Sequence, residues 1–368
     1  MSKAKSKDGI LVILESPAKK EKVKKLLGLV SKEKYIVDAS YGHIRDLNKK
    51  NMSIEIDNSF KPIYIVNDDK KQVISNLKRE YAKCKGVLLA CDFDREGEAI
   101  AWHLSEVLSV PKGKRDRLIF TEITKKGMEH AVQNIKPLDM NMFYSQQARR
   151  IIDRLIGYKI SPLLWNNIQN TMKTKISLSA GRVQSVVNRL ILEREEEIKN
   201  FKDSSYYKTD GLFIFEKNKI QTELSKKIED KDTADKFLEI CANSIFKVGK
   251  IKKTLTKKSP SAPFITSTLQ QEVSNKFRIG PKQTMMVLQK LYENGLITYM
   301  RTDSVTISEE ILDKIEEYII NKFGDKFHNR KQYKNKSKNS QEAHEAIRPC
   351  NIELKNLDKL NITTNGKY

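Results

Sequence analysis

The sequence lacks the features that mark membrane-spanning, secreted or zinc-binding proteins. No apolar run approaches the ~20 residues that cross a bilayer, and the lysine-rich start, residues 1–8, has no apolar stretch of the secretory type. The four cysteines include no Cys-x-x-Cys pair, so neither a zinc knuckle nor a disulfide framework is indicated. We therefore expect a cytoplasmic protein with reduced thiols and no membrane contact.

Acidic residues are also few relative to basic ones. The 69 lysines and arginines exceed the 47 aspartates and glutamates and give a formal net charge of +22. Such a surface attracts polyanions, and nucleic acid is the first partner to consider. The 368 residues are enough for two or three domains, each with a core of its own.

The first 145 residues have the pattern of an α/β domain. Three apolar runs, 9–14, 35–39 and 86–91, each precede a polar turn, and helical spacing follows the third at 98–108. Ser16 and Pro17 suit a helix start. Alternating strands and helices predict a mostly parallel, Rossmann-like sheet, whose sites gather where the strands end.

The rest of the chain predicts further domains of other classes, so the fold class is multidomain α/β plus α. Residues 142–199 are helical in pattern, while 206–224 and 245–255 read as strands of a β-rich segment. A helix is expected to begin at Pro281 and stop at Gly295, and Ser308 to cap another. These features indicate a compact winged-helix-like unit around Tyr299.

Tyr299 is the best candidate for chemistry. It lies in an apolar, strand-like run, 296–304, where Arg301 and Asp303 would share its face. A phenol needs neighbouring cations or a base to attack phosphorus, and Arg301 supplies one cation. An isolated Tyr-x-Arg would more often be a tyrosine packed on a core. Other stretches of the chain favour the functional interpretation.

One such stretch, 92–96, spaces the carboxylates of Asp92, Asp94 and Glu96 two residues apart after an apolar run. Mg²⁺ prefers a few carboxylates together with water and a substrate phosphate. A solvated acidic turn is the alternative for a bare Asp-x-Asp. At another strand end, Glu15 is a candidate general acid for a leaving sugar oxygen, and Lys19 a candidate phosphate contact.

Several basic residues lie where they could meet an anion. His43 occupies a turn and suits a phosphate or base contact, although a lone loop histidine is usually structural. Arg150 and Asp153 are three apart on a helix and can pair, which leaves Arg149 for DNA. The small residues around Gly181 open a helix whose amides, with Arg182, could hold a phosphate.

Taken together, these segments resemble the type IA DNA topoisomerases, in the bacterial topoisomerase I branch. Eight matching stretches occur in family order: 14–19, 42–46, 92–103, 146–150, 178–185, 264–271, 297–304 and 342–349. The resemblance implies that Tyr299 forms a 5′-phosphotyrosine link while Arg301 stabilises the phosphate, and that no ATP is needed to relax negative supercoils.

The resemblance also implies roles for the other candidates. Glu15, Lys19 and Asp92 join the catalytic set, and Mg²⁺ is held by Glu15, Asp92, Asp94 and Glu96 of a TOPRIM domain. The implied DNA-contacting residues are His43, Arg149, Arg150, Asp153, Gly181, Arg182, Gln184, Ser185 and His344. The implied partner is single-stranded or negatively supercoiled DNA, bound by a monomer associated with the nucleoid.

The same resemblance divides the chain into five parts. They are a TOPRIM domain (1–145), the first part of a helical DNA-binding domain (146–202), the first part of a β-rich arch (203–262), the catalytic-tyrosine domain (263–342) and a return segment (343–368). Family members continue well beyond the His344 block, so we expect the C-terminal part to be missing. An unclosed arch leaves strand edges uncovered, and strand passage would then depend on the missing part.

Two other functions compete with this interpretation. The chain could be a truncated, single-stranded-DNA-binding fragment that does not relax DNA and is attracted mainly by charge. It could alternatively be a TOPRIM nuclease or primase, but that chemistry needs no tyrosine and leaves the Tyr299 block without a purpose.

Overall fold

The computed structural model describes residues 8–169, 178–256, 258–333 and 345–354. Contacts divide the chain into two compact units, one comprising Met1–Ala180 with Ser261–Tyr368 and the other Gly181–Pro260. His344, one of the predicted DNA contacts, lies outside the described residues. In the part of the chain that is described, no helix is both long and apolar enough to cross a membrane.

A five-stranded sheet forms the centre of the first unit. The strands of this unit are β1 (Ile10–Leu14), β2 (Tyr35–Ala39), β3 (Arg45–Leu47), β4 (Ile54–Glu55), β5 (Lys61–Pro62), β6 (Tyr64–Val66), β7 (Gly86–Ala90), β8 (Asp116–Arg117) and β9 (Lys136–Pro137). The sheet has the order β2-β1-β7-β8-β9, in which only β9 is antiparallel to its neighbour. Strands β3 and β6, and β4 and β5, form separate antiparallel pairs. The mostly parallel sheet predicted from the three apolar runs is confirmed.

The helices begin and end largely where the sequence signals them. In chain order they are α1 (Lys20–Val30), α2 (Lys71–Lys83), α3 (Arg95–Val107), α4 (Lys125–Gln133), α5 (Met140–Leu164), α6 (Arg182–Asn200), α7 (Lys231–Ala242), α8 (Thr266–Phe277), α9 (Pro281–Glu293) and α10 (Glu309–Phe323). Ser16 accepts a hydrogen bond from the Ala18 N–H at the turn that precedes α1. Pro281 opens α9 and Gly295 follows its end with a φ of 61°. Ser308 is the residue before α10, as predicted.

Both faces of the sheet are covered, and one of them carries the segment around Tyr299. The first core cluster joins Val12 and Leu88 of the sheet to Tyr292, Tyr299 and Met300. A second cluster, on the other face, packs Leu11 and Leu89 against helices α2 and α3. Tyr299 therefore belongs to the same apolar core as the strands that end beside it.

A buried ion pair fixes the carboxyl end of β7. Arg117 and Glu98 are 0% and 1% exposed, and the Arg117 Nε–H donates to Glu98 Oε2 at 2.9 Å. The other guanidinium N–H groups donate to the carbonyl oxygens of Leu89 (2.7 Å), Cys91 (3.1 Å) and Asp92 (3.1 Å). Glu98 Oε1 also accepts the Asp139 N–H at 2.7 Å, just before α5. One ion pair thus joins β7, β8, α3 and α5.

The second unit contains α6, a hairpin and α7. The hairpin pairs β10 (Asp210–Phe215) with β11 (Asn218–Glu223), which confirms the strands predicted at 206–224. The strand predicted at 245–255 is wrong, because residues 245–255 form no strand. A strand needs a neighbour that pairs with its backbone, and in the described part of this unit the sheet consists of β10 and β11 alone. Its apolar side chains, such as Ile245 and Val248, stay exposed.

We predict that Arg117→Met lowers the free energy of unfolding by roughly 3–5 kcal/mol, because it leaves the Glu98 carboxylate buried without a counter-charge. Adding Glu98→Gln should restore at least part of the loss, since the unpaired charge is then gone. Denaturant unfolding followed by tryptophan fluorescence measures this, because Trp102 and Trp165 both lie in the first unit. If the single variant is as stable as the unaltered protein, the pair does not hold this region together.

Candidate active site

Two carboxylates come together because neighbouring parallel strands end side by side. Glu15 follows β1 and Asp92 follows β7 by two residues, and these strands pair in parallel register. The carboxyl ends of parallel strands are the usual position of sites in such sheets. Lys19, in the turn after β1, is 1% exposed and its Nζ contacts Asp92 Oδ1. The predicted neighbourhood of Glu15, Lys19 and Asp92 is therefore formed.

Asp94 connects this edge of the sheet to the tyrosine. One of its oxygens caps α3 by accepting the Gly97 N–H at 2.8 Å. The other, Oδ2, accepts the Tyr299 hydroxyl at 2.6 Å and lies 3.4 Å from Arg301 Nη1. Gly97 allows this compact turn, since a Cβ there would lie 2.1 Å from the Asp92 carbonyl oxygen. A tyrosine, an arginine and a carboxylate thus meet at one oxygen atom.

The segment that carries Tyr299 is an irregular loop, so the prediction of a strand at 296–304 is wrong. Apart from an isolated bridge between Ile297 and Pro349, these residues have no ladder. Their backbone groups bond to separate parts of the fold: the Tyr299 N–H donates to the Thr121 carbonyl at 2.8 Å and the Thr298 N–H to the Arg348 carbonyl at 3.0 Å. Tyr299 and Arg301 still reach the same side, as their shared contact with Asp94 shows.

Tyr299 is only 2% exposed. Burial, followed by the negative charges of Asp94 and Asp92, raises the pKa of the Tyr299 hydroxyl well above its ordinary value, while Arg301 opposes the shift. The ring also packs edge-to-face on Tyr292, with centroids 5.1 Å apart. Lys19 Nζ lies 4.9 Å from the centroid of the same Tyr292 ring. In this arrangement the phenol is neutral and enclosed.

Tyr292 was missed at the sequence level, although it contacts both predicted catalytic residues, Lys19 and Tyr299. Its only signal in the sequence is a place on the apolar face of a helix, which is also the signature of an ordinary core residue. It is fully buried. The contact between a cation and an aromatic face stabilises by about 0.5–2 kcal/mol, so Tyr292 helps to hold Lys19 beneath the site.

The pKa of Glu15 suits a residue that donates a proton at neutral pH. Burial, followed by the nearby charges of Asp92 and Asp94, raises the pKa of Glu15 to about 7, and the Lys19 and His43 charges oppose the shift. A general acid works best when its pKa is near the working pH. Glu15 can therefore carry a proton near neutral pH where an ordinary glutamate would not.

Three of the four carboxylates predicted to bind Mg²⁺, those of Asp92, Asp94 and Glu96, have separate partners. Glu96 Oε2 accepts from Gln146 at 3.0 Å and lies 3.1 Å from His43 Nε2, and its pKa is lowered mainly by the hydrogen bond with His43. Across the described ranges, no three histidine, cysteine or acidic side chains converge into a metal-binding group. The donors themselves suit Mg²⁺, because all are carboxylate oxygens. Glu15 lies close enough to Asp92 and Asp94 for their charges to raise its pKa.

An open cavity of about 450 Å³ is lined by Arg301 and by Asp94, the residue that accepts the Tyr299 hydroxyl. Its lining includes three arginines, Arg95, Arg149 and Arg301, and the predicted neighbour Asp303. Arg149 is exposed on α5 and lines this cavity; its predicted contact with DNA stays a prediction. A cavity lined by guanidinium groups suits the phosphates of a nucleic-acid strand.

The other predicted DNA contacts are distributed over both units. Arg150 pairs with Asp46, at 2.5 Å from Nη2 to Oδ2, instead of with Asp153 one turn further along α5. In the second unit, Gly181 precedes α6 and accepts the Ser185 N–H at 2.9 Å. The Gln184 side chain lies over Gly181, where a Cβ would be 2.4 Å from Gln184 Oε1. Arg182 is the first residue of α6.

Comparison with known proteins reveals two family matches. Residues 137–364 match the DNA topoisomerase family, and residues 10–123 match the Toprim domain. The chain is 44% identical over 373 aligned positions to the prokaryotic-type DNA topoisomerase 1 of Acanthamoeba polyphaga mimivirus, with 95% of this chain covered. It is also similar to full-length topoisomerase I from Thermotoga maritima, with a TM-score of 0.76 and 36% identity over 93% of this chain.

Both relatives are much longer than the region that matches. The chain spans 42% of the mimivirus protein and 55% of the Thermotoga structure. The residues around the tyrosine are inside the matched regions.

Proposed function

The chain belongs to the DNA topoisomerase family and carries a Toprim domain, and from this premise we propose that it cleaves and rejoins one DNA strand through Tyr299. The observation that supports this most directly is the meeting of the Tyr299 hydroxyl and the Arg301 guanidinium at Asp94 Oδ2, 2.6 and 3.4 Å away. Both groups would bind a phosphate oxygen as they bind this carboxylate oxygen. The proposed product is a 5′-phosphotyrosine ester with a free 3′-hydroxyl on the other fragment.

The proposed reaction exchanges one ester for another. The bond between Tyr299 Oη and phosphorus forms while the bond between phosphorus and the 3′-oxygen breaks, so no ATP is consumed. The phenol proton passes to water, because the incoming phosphate separates the phenol from Asp94, which accepts its hydrogen bond before DNA binds. The 3′-oxygen takes a proton from Glu15, whose pKa of about 7 suits an acid at neutral pH. Rejoining reverses each transfer.

Arg301 and Lys19 contribute positive charge. Arg301 is about half exposed at the edge of the cavity, so its guanidinium can stay on a phosphate after the strand enters. Lys19 is buried against Asp92 and Tyr292 and would reach the phosphate from beneath. Fixed cations that face developing negative charge stabilise a transition state in a site from which water is excluded.

The enclosure of Tyr299 requires a displacement when DNA binds. The Asp94 carboxylate occupies the position between phenol and guanidinium that a phosphate would take. An incoming phosphate must therefore separate Tyr299 and Arg301 from Asp94. Burial is the largest cause of the raised pKa of the phenol, and the Asp94 charge is the next largest. The same separation would remove the effect of the Asp94 charge.

Toprim domains generally bind Mg²⁺, and Asp92 and Asp94, with Glu15 and Glu96, would hold the ion in this chain. Mg²⁺ is usually bound by one or two carboxylates together with water and a substrate phosphate. When bound, it would supply charge stabilisation at a phosphate oxygen. Asp94 becomes available for the ion when Tyr299 and Arg301 leave it, so DNA and metal would favour one another.

The substrate we propose is single-stranded or negatively supercoiled DNA, bound by a monomer of net charge +22. The arginines of the cavity would contact its backbone, as would the predicted residues around Gly181 and at His344. The overall activity we propose is relaxation of negative supercoils, in the nucleoid. A binding fragment without cleavage is the second candidate, and the net charge of +22 favours it, because charge alone attracts DNA.

We expect wild-type protein to become labelled by a single-stranded oligonucleotide carrying its label at the 3′ end, after denaturation, and Tyr299→Phe to remain unlabelled. The variant lacks only the attacking oxygen and its hydrogen bond to Asp94, so its affinity for the oligonucleotide, measured by anisotropy, should be no weaker than that of wild type. Label on Tyr299→Phe would move the chemistry to another residue. Retention of DNA without label on either protein would support the binding fragment.

Replacement of Glu15 by glutamine should slow cleavage of an ordinary oligonucleotide by roughly 10²–10⁴-fold, the usual contribution of a general acid. With sulfur in place of the bridging 3′-oxygen, the leaving group needs no proton. Glu15→Gln should then cleave as fast as wild type, as measured by single-turnover adduct formation. An equal defect on both substrates would exclude proton donation by Glu15.

Asp92→Asn combined with Asp94→Asn should weaken binding of Mn²⁺, a spectroscopic substitute for Mg²⁺, by at least about tenfold, because carboxylates are the main ligands of such ions. Electron paramagnetic resonance measures the free ion directly. Asparagine at position 94 retains the helix cap. Asparagine at position 92 leaves the buried Lys19 ammonium without its counter-charge, so the melting temperature should fall, and Mn²⁺ binding is measured well below it. Wild-type Mn²⁺ affinity in the double variant would mean that the ion binds elsewhere.

A further inference from the structure

The hydroxyl of Thr266, the first residue of α8, contacts the backbone on both sides of Arg301. Thr266 Oγ1 accepts the Thr302 N–H at 3.0 Å and lies 2.8 Å from the Met300 carbonyl oxygen, to which it can donate. It is also 3.0 Å from the Thr302 carbonyl oxygen, which already accepts the Thr266 backbone N–H at 3.0 Å. One side chain therefore ties together the residues that flank Arg301.

These contacts are important because the loop has no regular structure of its own. Before Arg301, the loop is fixed by the backbone hydrogen bonds of Thr298 and Tyr299 to distant carbonyls. After Tyr299, the polar groups of Met300 and Thr302 turn toward α8 and meet Thr266. Both residues are nearly buried, with 1% and 7% of their surface exposed. Buried backbone groups need such partners, and a loop obtains them from side chains.

We propose that Thr266 is a positioning residue for strand cleavage, acting through the Met300–Thr302 backbone to hold the Arg301 guanidinium beside the Tyr299 hydroxyl. This inference rests on the proposed function. Thr266 also lines the cavity next to Arg301, so the residue that fixes the loop borders the space in which a DNA strand would lie. It does not itself touch the reacting atoms.

Valine is the informative replacement because it keeps the shape of threonine but cannot form hydrogen bonds. In Thr266→Val the Thr302 N–H and the Met300 carbonyl lose their side-chain partner in a nearly buried place, where unpaired groups are costly. The loop is then expected to rearrange. A misplacement of about 1 Å at a reacting centre can reduce the rate about a hundredfold.

Thr268 provides a matched control on the same helix. Its hydroxyl accepts the Ile265 N–H at 3.1 Å and lies 3.2 Å from the Ile265 carbonyl oxygen, so it stabilises the start of α8 without contacting the tyrosine loop. Thr268→Val therefore reproduces the loss of a hydroxyl from the first turn. Thr266→Ser retains the hydrogen bonds and completes the series.

The experiment measures three quantities for the 368-residue chain of each variant: the rate of covalent adduct formation at saturating oligonucleotide, the affinity for that oligonucleotide, and the melting temperature. Thr266→Val should lower the rate about ten- to a hundredfold with affinity within about twofold, while Thr266→Ser and Thr268→Val should keep rates within about threefold of wild type. The melting temperatures of the two valine variants should be similar.

A wild-type rate in Thr266→Val would overturn the inference, as would an equal loss of rate in Thr268→Val, since that would reflect a general weakening of α8. A parallel loss of affinity and rate in Thr266→Val would also overturn it, because positioning acts on the chemical step. If wild-type protein itself forms no adduct, the proposed cleavage fails instead. The two failures are thereby distinguishable.

Discussion

The buried ion pair of Arg117 and Glu98 is the constraint on which the site depends. Three carbonyl oxygens, those of Leu89, Cys91 and Asp92, accept hydrogen bonds from one guanidinium at the end of β7. The pair therefore sets the path of the chain between β7 and α3, from which Asp92 and Asp94 project. Through the Asp139 N–H it also fixes the start of α5, the helix that brings Arg149 to the cavity. A charged pair in the interior is costly to assemble. Here it fixes the path of the backbone that carries Asp92 and Asp94.

Electrostatic crowding is the second organising feature. Glu15, Asp92 and Asp94 accumulate negative charge at one sheet edge, and Lys19 and Arg301 compensate only part of it. Burial, with this residual repulsion added, raises the pKa of Glu15 to about 7 and the pKa of the Tyr299 hydroxyl well above its ordinary value. Such perturbed pKa values concentrate at functional sites. A cation bound at this edge would reduce the repulsion.

The sequence allowed the sheet and its edge to be predicted because that information is local. Apolar runs followed by polar turns locate β1, β2 and β7, and the residues after them necessarily lie at the strand ends. The contact between Asp94 and Tyr299 spans 205 positions, and no local pattern encodes it; the family resemblance alone brought the two together. The roles of Tyr292 and Thr266 could not be predicted from the sequence. A residue on the apolar face of a helix and a threonine at a helix start are both common in positions with no functional role. The Tyr299 loop was predicted as a strand because it is rich in apolar residues. These residues pack on the sheet, but the hydrogen bonds of the loop go to three different segments of the chain.

The enclosure of Tyr299 has a consequence for how tightly DNA is held. If only a fraction of molecules has the tyrosine separated from Asp94, the apparent dissociation constant of the reactive complex is the intrinsic value divided by that fraction. Each 1.4 kcal/mol that favours the closed arrangement weakens apparent binding tenfold. Lys22 contacts the Asn294 carbonyl and Lys126 contacts Glu310, away from the tyrosine, and any such contact that the separation breaks would enter the same equilibrium. Under the proposed function, affinity for DNA would then depend also on contacts that DNA does not touch.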